Sequence, residues 1–224
     1  MGPPFEVDSS EDMLVEEQVA NMLLHQRYNP AIIPRLEEYV DHQLQKEKYD
    51  YDANMGLLKL YQFHPEKSNS KKIVQIMAKA MLALPAQDFL SGLYLVPQQS
   101  LSQEPMATLV ELVSLLETCM FELFWQRLAG IDSLRKTIVG FDDAVRRFIL
   151  DVVARTYSSI RLDLLGQLLN ASTEDTTSAV LKFGWAVEGD VATIPPNTEN
   201  TAKPSNDRGE QLGFAVIASS RSIM

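Results

Sequence analysis

The stretch with the fewest options in this chain is residues 108–128, TLVELVSLLETCMFELFWQRL. Leu109, Val110, Leu112, Val113, Leu115, Leu116, Cys119, Met120, Phe121, Leu123, Phe124, Trp125 and Leu128 leave only a narrow polar stripe through Glu111, Ser114, Thr118 and Glu122. A helix on the surface of a globular protein carries a wider polar face. With no Pro or Gly inside it, the stretch predicts one long helix of about 30 Å at 1.5 Å per residue, buried on two sides in the middle of a helical stack. Glu111, Glu117, Glu122 and Arg127 interrupt the apolar run, and each costs roughly 3 kcal/mol in hydrocarbon, so a membrane span is excluded.

At 224 residues and 46% hydrophobic content, the chain can bury a core for one domain or two small ones. A net charge of −10 gives no global positive field toward a phosphate backbone or an anionic membrane. Any contact with nucleic acid must therefore be local. The single cysteine, Cys119, has no partner for an intrachain disulfide and falls in the apolar stretch, which predicts a reducing compartment and a buried, inert thiol. Glu6, Asp8, Glu11, Asp12, Glu16 and Glu17 precede the first basic residue, Arg27, the opposite of a signal or transit peptide, and point to a cytoplasmic protein.

Taken in order, residues 1–8 read as a flexible N-terminus. Ser9 or Ser10 caps a first helix that runs to about Gln26 with Leu14, Val15, Val19, Met22 and Leu23 on one face. A second helix follows Tyr28-Asn29-Pro30 and carries Ile33, Leu36, Tyr39, Val40 and Leu44. Asp50 or Asp52 caps a third, ANMGLLKLYQF, which Pro65 stops. Ser68 or Ser70 then caps KKIVQIMAKAMLAL, and a shorter helix near 87–96 stops at Pro97. A polar link, PQQSLSQEP, leads into 108–128, and a short helix over 131–138 ends before Gly140. Helix pairs every 30 to 40 residues match stacked-helix architectures, in which each pair buries its apolar face against its neighbours. Residues 9–139 are therefore expected to form a HEAT-like helical repeat domain.

From Gly140 the pattern changes. Residues 141–157 form an amphipathic helix, a second helix starts at Ser159, and Thr173 opens a third that Gly184 stops. Trp185-Ala186-Val187, a turn at Glu188-Gly189-Asp190 and 191–194 then read as a hairpin. Three helices and a two-stranded wing are the order of a winged helix, placed at 140–195. Residues 196–224 are a linker-like tail, rich in Pro, Asn, Thr and Ser, that turns apolar only at 212–217. The fold class is mainly α, with one small β-hairpin.

Catalysis finds no support. His25, His42 and His64 lack metal-ligand spacing, no phosphate-cradling Gly pattern is present, and the acidic pairs Asp142-Asp143 and Glu174-Asp175 fall at helix starts, where dipole and capping explain them. Neither an enzyme nor a cofactor site is expected. In a DNA-reading winged helix the third helix offers basic and amide side chains to base edges, whereas this one offers Glu174, Asp175 and only Lys182. Residues 141–195 carry Arg146, Arg147, Arg155, Arg161 and Lys182 against eight acidic residues, Asp142, Asp143, Asp151, Asp163, Glu174, Asp175, Glu188 and Asp190. The four arginines read either as an RNA-facing stripe or as salt-bridged helix surface. The acidic third helix favours protein contacts.

Arg27-Tyr28-Asn29-Pro30, Leu58-Lys59-Leu60-Tyr61-Gln62-Phe63-His64-Pro65, Leu115-Leu116-Glu117-Thr118-Cys119 with Phe124-Trp125, Gly140-Phe141 leading into Val145-Arg146-Arg147-Phe148-Ile149, and Lys182-Phe183-Gly184-Trp185 together resemble the subunit K family of eukaryotic translation initiation factor 3. The resemblance covers about 27–194 in order; the acidic N-terminal extension and the tail depart from the family pattern. It implies a non-catalytic PCI-type subunit, a HEAT-like domain with a winged helix, related to subunits of the proteasome lid and the COP9 signalosome. It further implies pairing with subunit L and, through the assembled factor, binding to the small (40S) ribosomal subunit. On that basis Trp185, Val191 and Ile194 of the wing, and Phe214, Val216 and Ile217 of the tail, are the candidate partner-binding residues. The alternative is a free-standing winged-helix regulator that binds nucleic acid through Arg146, Arg147, Arg155 and Arg161.

Overall fold

Helix starts along this chain are set by short polar side chains that take the free N–H groups of a first turn. Asn29 accepts from Ala31 at 3.0 Å, Asp50 from Ala53 at 3.0 Å, Asn69 from Lys71 at 3.1 Å and Ser172 from Asp175 at 3.1 Å. A computed structural model describes residues 9–201, with side chains from Asp12 onward. It holds helices α1 (Ser9–Gln26), α2 (Ile33–Gln45), α3 (Tyr51–Phe63), α4 (Ser70–Leu82), α5 (Asp88–Leu93), α6 (Gln98–Leu101), α7 (Met106–Glu117), α8 (Phe121–Arg127) and α9 (Asp132–Thr137). Helix α10 (Phe141–Thr156), strand β1 (Ser159–Arg161), helices α11 (Leu162–Leu169) and α12 (Thr173–Lys182), and strands β2 (Ala186–Glu188) and β3 (Val191–Thr193) complete it as a winged helix. The buried core runs without interruption from Val19 to Ile194.

The most enclosed helix is α4, not the stretch 108–128. Every residue from Lys72 to Met81 except Val74 is buried, and the helix packs against α2, α3, α5, α7 and α10. Small residues make that crowding possible: Ala78 and Ala80 lie in α4 itself, and a Cβ on Gly92 of α5 would sit 2.6 Å from the Met77 sulfur.

Residues 108–128 form two helices rather than the single long one expected. The break is a Schellman turn, in which the Met120 N–H donates to the Leu115 carbonyl at 2.8 Å and the Cys119 N–H to that of Leu116 at 3.1 Å. Cys119 takes φ +59 there, a place glycine normally fills because a side chain costs about 1 kcal/mol in that conformation. The turn re-aims Phe121 and Phe124 into the core. It also leaves Cys119 exposed, so the expectation of a buried thiol is overturned.

Within the stack, the Gln43 and Asn54 side chains bond reciprocally at 3.0 Å in each direction and fasten α2 to α3. The Asp50 N–H adds a 2.9 Å bond to the Gln43 side-chain oxygen, Oε1. Helix α1 is held by Val19 and Leu23, both buried, and by Asp12, which meets His42 at 2.7 Å. Val15 and Met22 are half-buried, while Leu14, expected on the inner face, is 56% exposed.

The second helix of the winged helix starts at Leu162, three residues later than expected. Ser159–Arg161 is instead an extra strand, because Ile160 pairs with Ala192 in an antiparallel register and the Ile194 N–H reaches the Ser158 carbonyl at 2.9 Å. Among the described residues the sheet therefore has three strands in the order β1-β3-β2, with β3 in the middle.

Candidate protein-interaction site

Gly184 directs the chain from α12 into the hairpin. Its φ of +80 permits a second Schellman turn, with the Trp185 N–H on the Val180 carbonyl at 3.1 Å, and this drops Trp185 inward, edge-on to Phe183 with ring centres 5.8 Å apart. Trp185 and Ile194 are 4% and 3% exposed, so both side chains hold the wing to the helices and neither faces solvent. Val191 is half-buried on the central strand. What the wing presents is the outer edge of β2, unpaired among the described residues, with Ala186 and Glu188 exposed beside it. Phe214, Val216 and Ile217 lie outside the described residues.

The four arginines do not form one stripe. Arg146 donates through Nε to the Leu169 carbonyl at 3.2 Å and through Nη2 to that of Asn170 at 3.3 Å, and its guanidinium lies 5.8 Å from the Trp125 ring centre. Arg155 meets Glu199 at 3.4 Å and Arg161 meets Asp163 at 3.3 Å. Only Arg147 remains exposed without an ion-pair partner among the described residues. It lines a groove of about 660 Å³ between α10 and α12 together with Arg146 and Lys182, but also with Asp143 and Asp175. Such alternation of sign suits a peptide surface better than a run of phosphates.

The face that α12 turns to solvent carries Glu174, Asp175, Ser178, Lys182 and Leu181, the last 57% exposed. Met120 and Leu123, 53% and 49% exposed, stand at the start of α8, which packs on α11. These three apolar residues were missed from the sequence. Leu181 had a signal, since buried Thr176 and Val180 mark the inner face of α12 and Leu181 lies off it. Met120 and Leu123 had none, because the break at Cys119 was invisible.

Electrostatic perturbation concentrates in the stack rather than in the winged helix. The His42 hydrogen bond, aided by Lys46 and Lys48, holds the Asp12 carboxyl below its ordinary range. Burial pulls the Lys79 ammonium down, against the pull of Glu47. Among the described residues no group of three or more His, Cys, Asp or Glu could hold a metal ion, and no helix is long and apolar enough to cross a membrane.

Residues 67–206 match the family model for the CSN8/PSMD8/EIF3K family. Curated relatives agree over a longer span. A Mus musculus protein named eukaryotic translation initiation factor 3 subunit K is 36% identical over 194 residues, 86% of this chain and 88% of its own. The Homo sapiens protein of that name is also 36% identical over 194 residues, with the same coverage. The Drosophila yakuba protein of that name is 35% identical over 182 residues, 81% of this chain and 82% of its own.

Proposed function

The chain belongs to the CSN8/PSMD8/EIF3K family, in its translation initiation factor 3 subunit K group, and on that footing we propose that it is a non-catalytic scaffold subunit of that factor in the cytoplasm. The observation that carries the reading is the winged helix itself. Its third helix faces outward with acids and Leu181, and the nearby groove mixes both signs of charge, so it offers a neighbouring subunit a surface and repels a phosphate backbone. Subunit L is the proposed neighbour and the small ribosomal subunit the proposed target of the assembled factor. Residues 9–139 act as the helical scaffold, 140–195 as the docking module, and 196–224 as a tail whose apolar end, with Phe214, Val216 and Ile217, joins neighbouring subunits.

Affinity purification of the tagged protein from its own cytosol at moderate salt, followed by mass spectrometry, tests this. Recovery of the other subunits of the factor, subunit L foremost, is the expected result. Recovery of the protein alone, or with nucleic acid only and with steep salt dependence, overturns it and restores the regulator reading.

A further inference from the structure

Helix α1 forms the outer end of the stack. It packs on α2 and α3, with Val19 and Leu23 turned inward, while Leu14, Glu17, Asn21 and Leu24 on its other side are exposed among the described residues. The terminal unit of a stacked array normally closes it with a polar outer face. Here Leu14 and Leu24 are 56% and 76% exposed, and Tyr28, just past the helix and 67% exposed, prolongs the line toward Phe63. Positions 14, 17, 21, 24 and 28 follow one another in alternating steps of three and four, the spacing of a coiled-coil seam. The inner face of α1 is already buried, so this second seam is free to receive a second helix.

We propose that two copies of the chain pair along this face, α1 against α1 in the antiparallel sense, across a two-fold axis near Val19. The seam is complementary to itself in that register. Leu14 of each copy meets Leu24 of the other, and Glu17 meets Asn21 of the other, whose side-chain N–H donates to the carboxylate. Parallel pairing in register would set Glu17 against Glu17, and the like charges repel.

Charge along the helix selects the same sense. Glu11, Asp12, Glu16 and Glu17 lie in its first half, whereas 18–28 hold no acid and bring His25 and Arg27. Antiparallel pairing lays each acidic half beside the basic half of the second copy and opposes the two helix dipoles. Asp12 and Glu16 are already engaged by His42 and Lys48, but Glu17 and Arg27 have no ion-pair partner among the described residues. Two-fold pairing uses the same patch on both copies and closes on itself, so it yields a dimer and no filament. One helix pair is smaller than the standard interface of about 1,600 Å², which places the expected Kd at about 10 to 100 µM. The pairing concerns the free chain and does not depend on which complex it joins.

The test uses the full chain in a Cys119→Ser background, which removes the exposed thiol as a route to disulfide-linked dimers. Sedimentation velocity from about 5 to about 300 µM brackets the expected Kd and should show monomer passing to dimer. Leu24→Glu should weaken the dimer at least about tenfold, with an unchanged melting temperature because the side chain it replaces is exposed. Nitroxides on Ala20→Cys and, separately, Gln26→Cys then read the sense by electron–electron distance. In the antiparallel dimer the Ala20 labels stand nearly level across the axis, while those at Gln26 are offset by about 21 Å along the helices at 1.5 Å per residue, so the Ala20 distance is the shorter. Parallel pairing leaves the two distances equal. A monomer at every concentration, a dimer that Leu24→Glu leaves intact, or equal distances at the two sites overturns the proposal.

Discussion

The indole N–H of Trp125 donates to the carbonyl of Leu168 at 2.9 Å and ties the helical stack to the second helix of the winged helix. It completes the end of α11. Asn170, in the left-handed conformation at φ +46, closes a Schellman turn that satisfies the carbonyls of Gly166 and Gln167 through the N–H groups of Ala171 and Asn170. Arg146 takes those of Leu169 and Asn170. All five carbonyls from Gly166 to Asn170 thus have a donor, three of them met by two side chains from other helices, Trp125 and Arg146.

Trp125→Phe keeps a ring against Phe124 but removes the donor to Leu168. It is expected to destabilise the protein by about 1 to 2 kcal/mol, the usual result of leaving a shielded carbonyl unmet. Because Arg146 stacks on the same indole, Trp125→Phe and Arg146→Met should couple, their combined loss in urea unfolding falling short of the sum. Strict additivity would mean that the two side chains hold α11 independently.

Cys119→Gly relieves a side chain from the left-handed position and is expected to raise stability by about 1 kcal/mol. The wild-type thiol, being exposed, should react with a thiol reagent in the folded state at a rate close to that of the unfolded chain. A thiol protected until unfolding would show that residues 108–128 are continuous helix after all.

How far the sequence could be read follows from where local and tertiary forces agree. Helices α2 to α4 were legible because Asp50 and Pro65 punctuate them, and the order of the winged helix because Gly184 and Gly189 supply the left-handed turns that a stop and a hairpin need. The break at Cys119 was illegible because a residue with no propensity for that turn makes it. Strand β1 was illegible because Ile160 is extended only through its pairing with Ala192, more than 30 positions away. In the candidate site, Trp185 and Ile194 drew attention as apolar residues of a wing, but their burial is decided by how the hairpin lies on the helices. Leu181 drew none, yet it is open to solvent.

Gln43→Leu strands the Asn54 amide and the Asp50 N–H in the interior between α2 and α3. A loss of about 2 to 3 kcal/mol is expected, since charge-free buried networks cost most when half removed. Adding Asn54→Leu should recover part of it by removing the stranded amide. Urea unfolding in which the double variant is less stable than Gln43→Leu alone would contradict this.

Acid should release α1 first. The Asp12 carboxyl is held below its ordinary value of 3.8, chiefly by its bond to His42. The unfolded chain therefore binds a proton more readily than the folded one, and stability rises with pH through that window. The contribution is complete above about pH 4 and fades as the pH drops through the lower folded value. Hydrogen exchange should show α1 losing protection below pH 4 while α4 retains it, and Asp12→Asn should erase the difference. Simultaneous loss in both helices, with or without Asp12, would place the acid sensitivity elsewhere.

The proposed docking role is best challenged at Leu181, because its exposure lets a substitution act on partners without touching the core. Leu181→Glu adds charge to a face already carrying Glu174 and Asp175, so any apolar or acidic neighbour is repelled. Association with subunit L should weaken at least tenfold, about 1.4 kcal/mol, with an unchanged melting temperature. Val187→Pro at the edge strand removes a backbone donor and asks whether pairing along β2 contributes as well. Deleting 212–224 separates the tail from the wing. If the deletion alone abolishes association while Leu181→Glu does not, the partner is held by the tail and the winged helix only supports it. If neither matters, the contact lies on the stack, where Tyr28 and Phe63 form an exposed aromatic pair 6.0 Å apart.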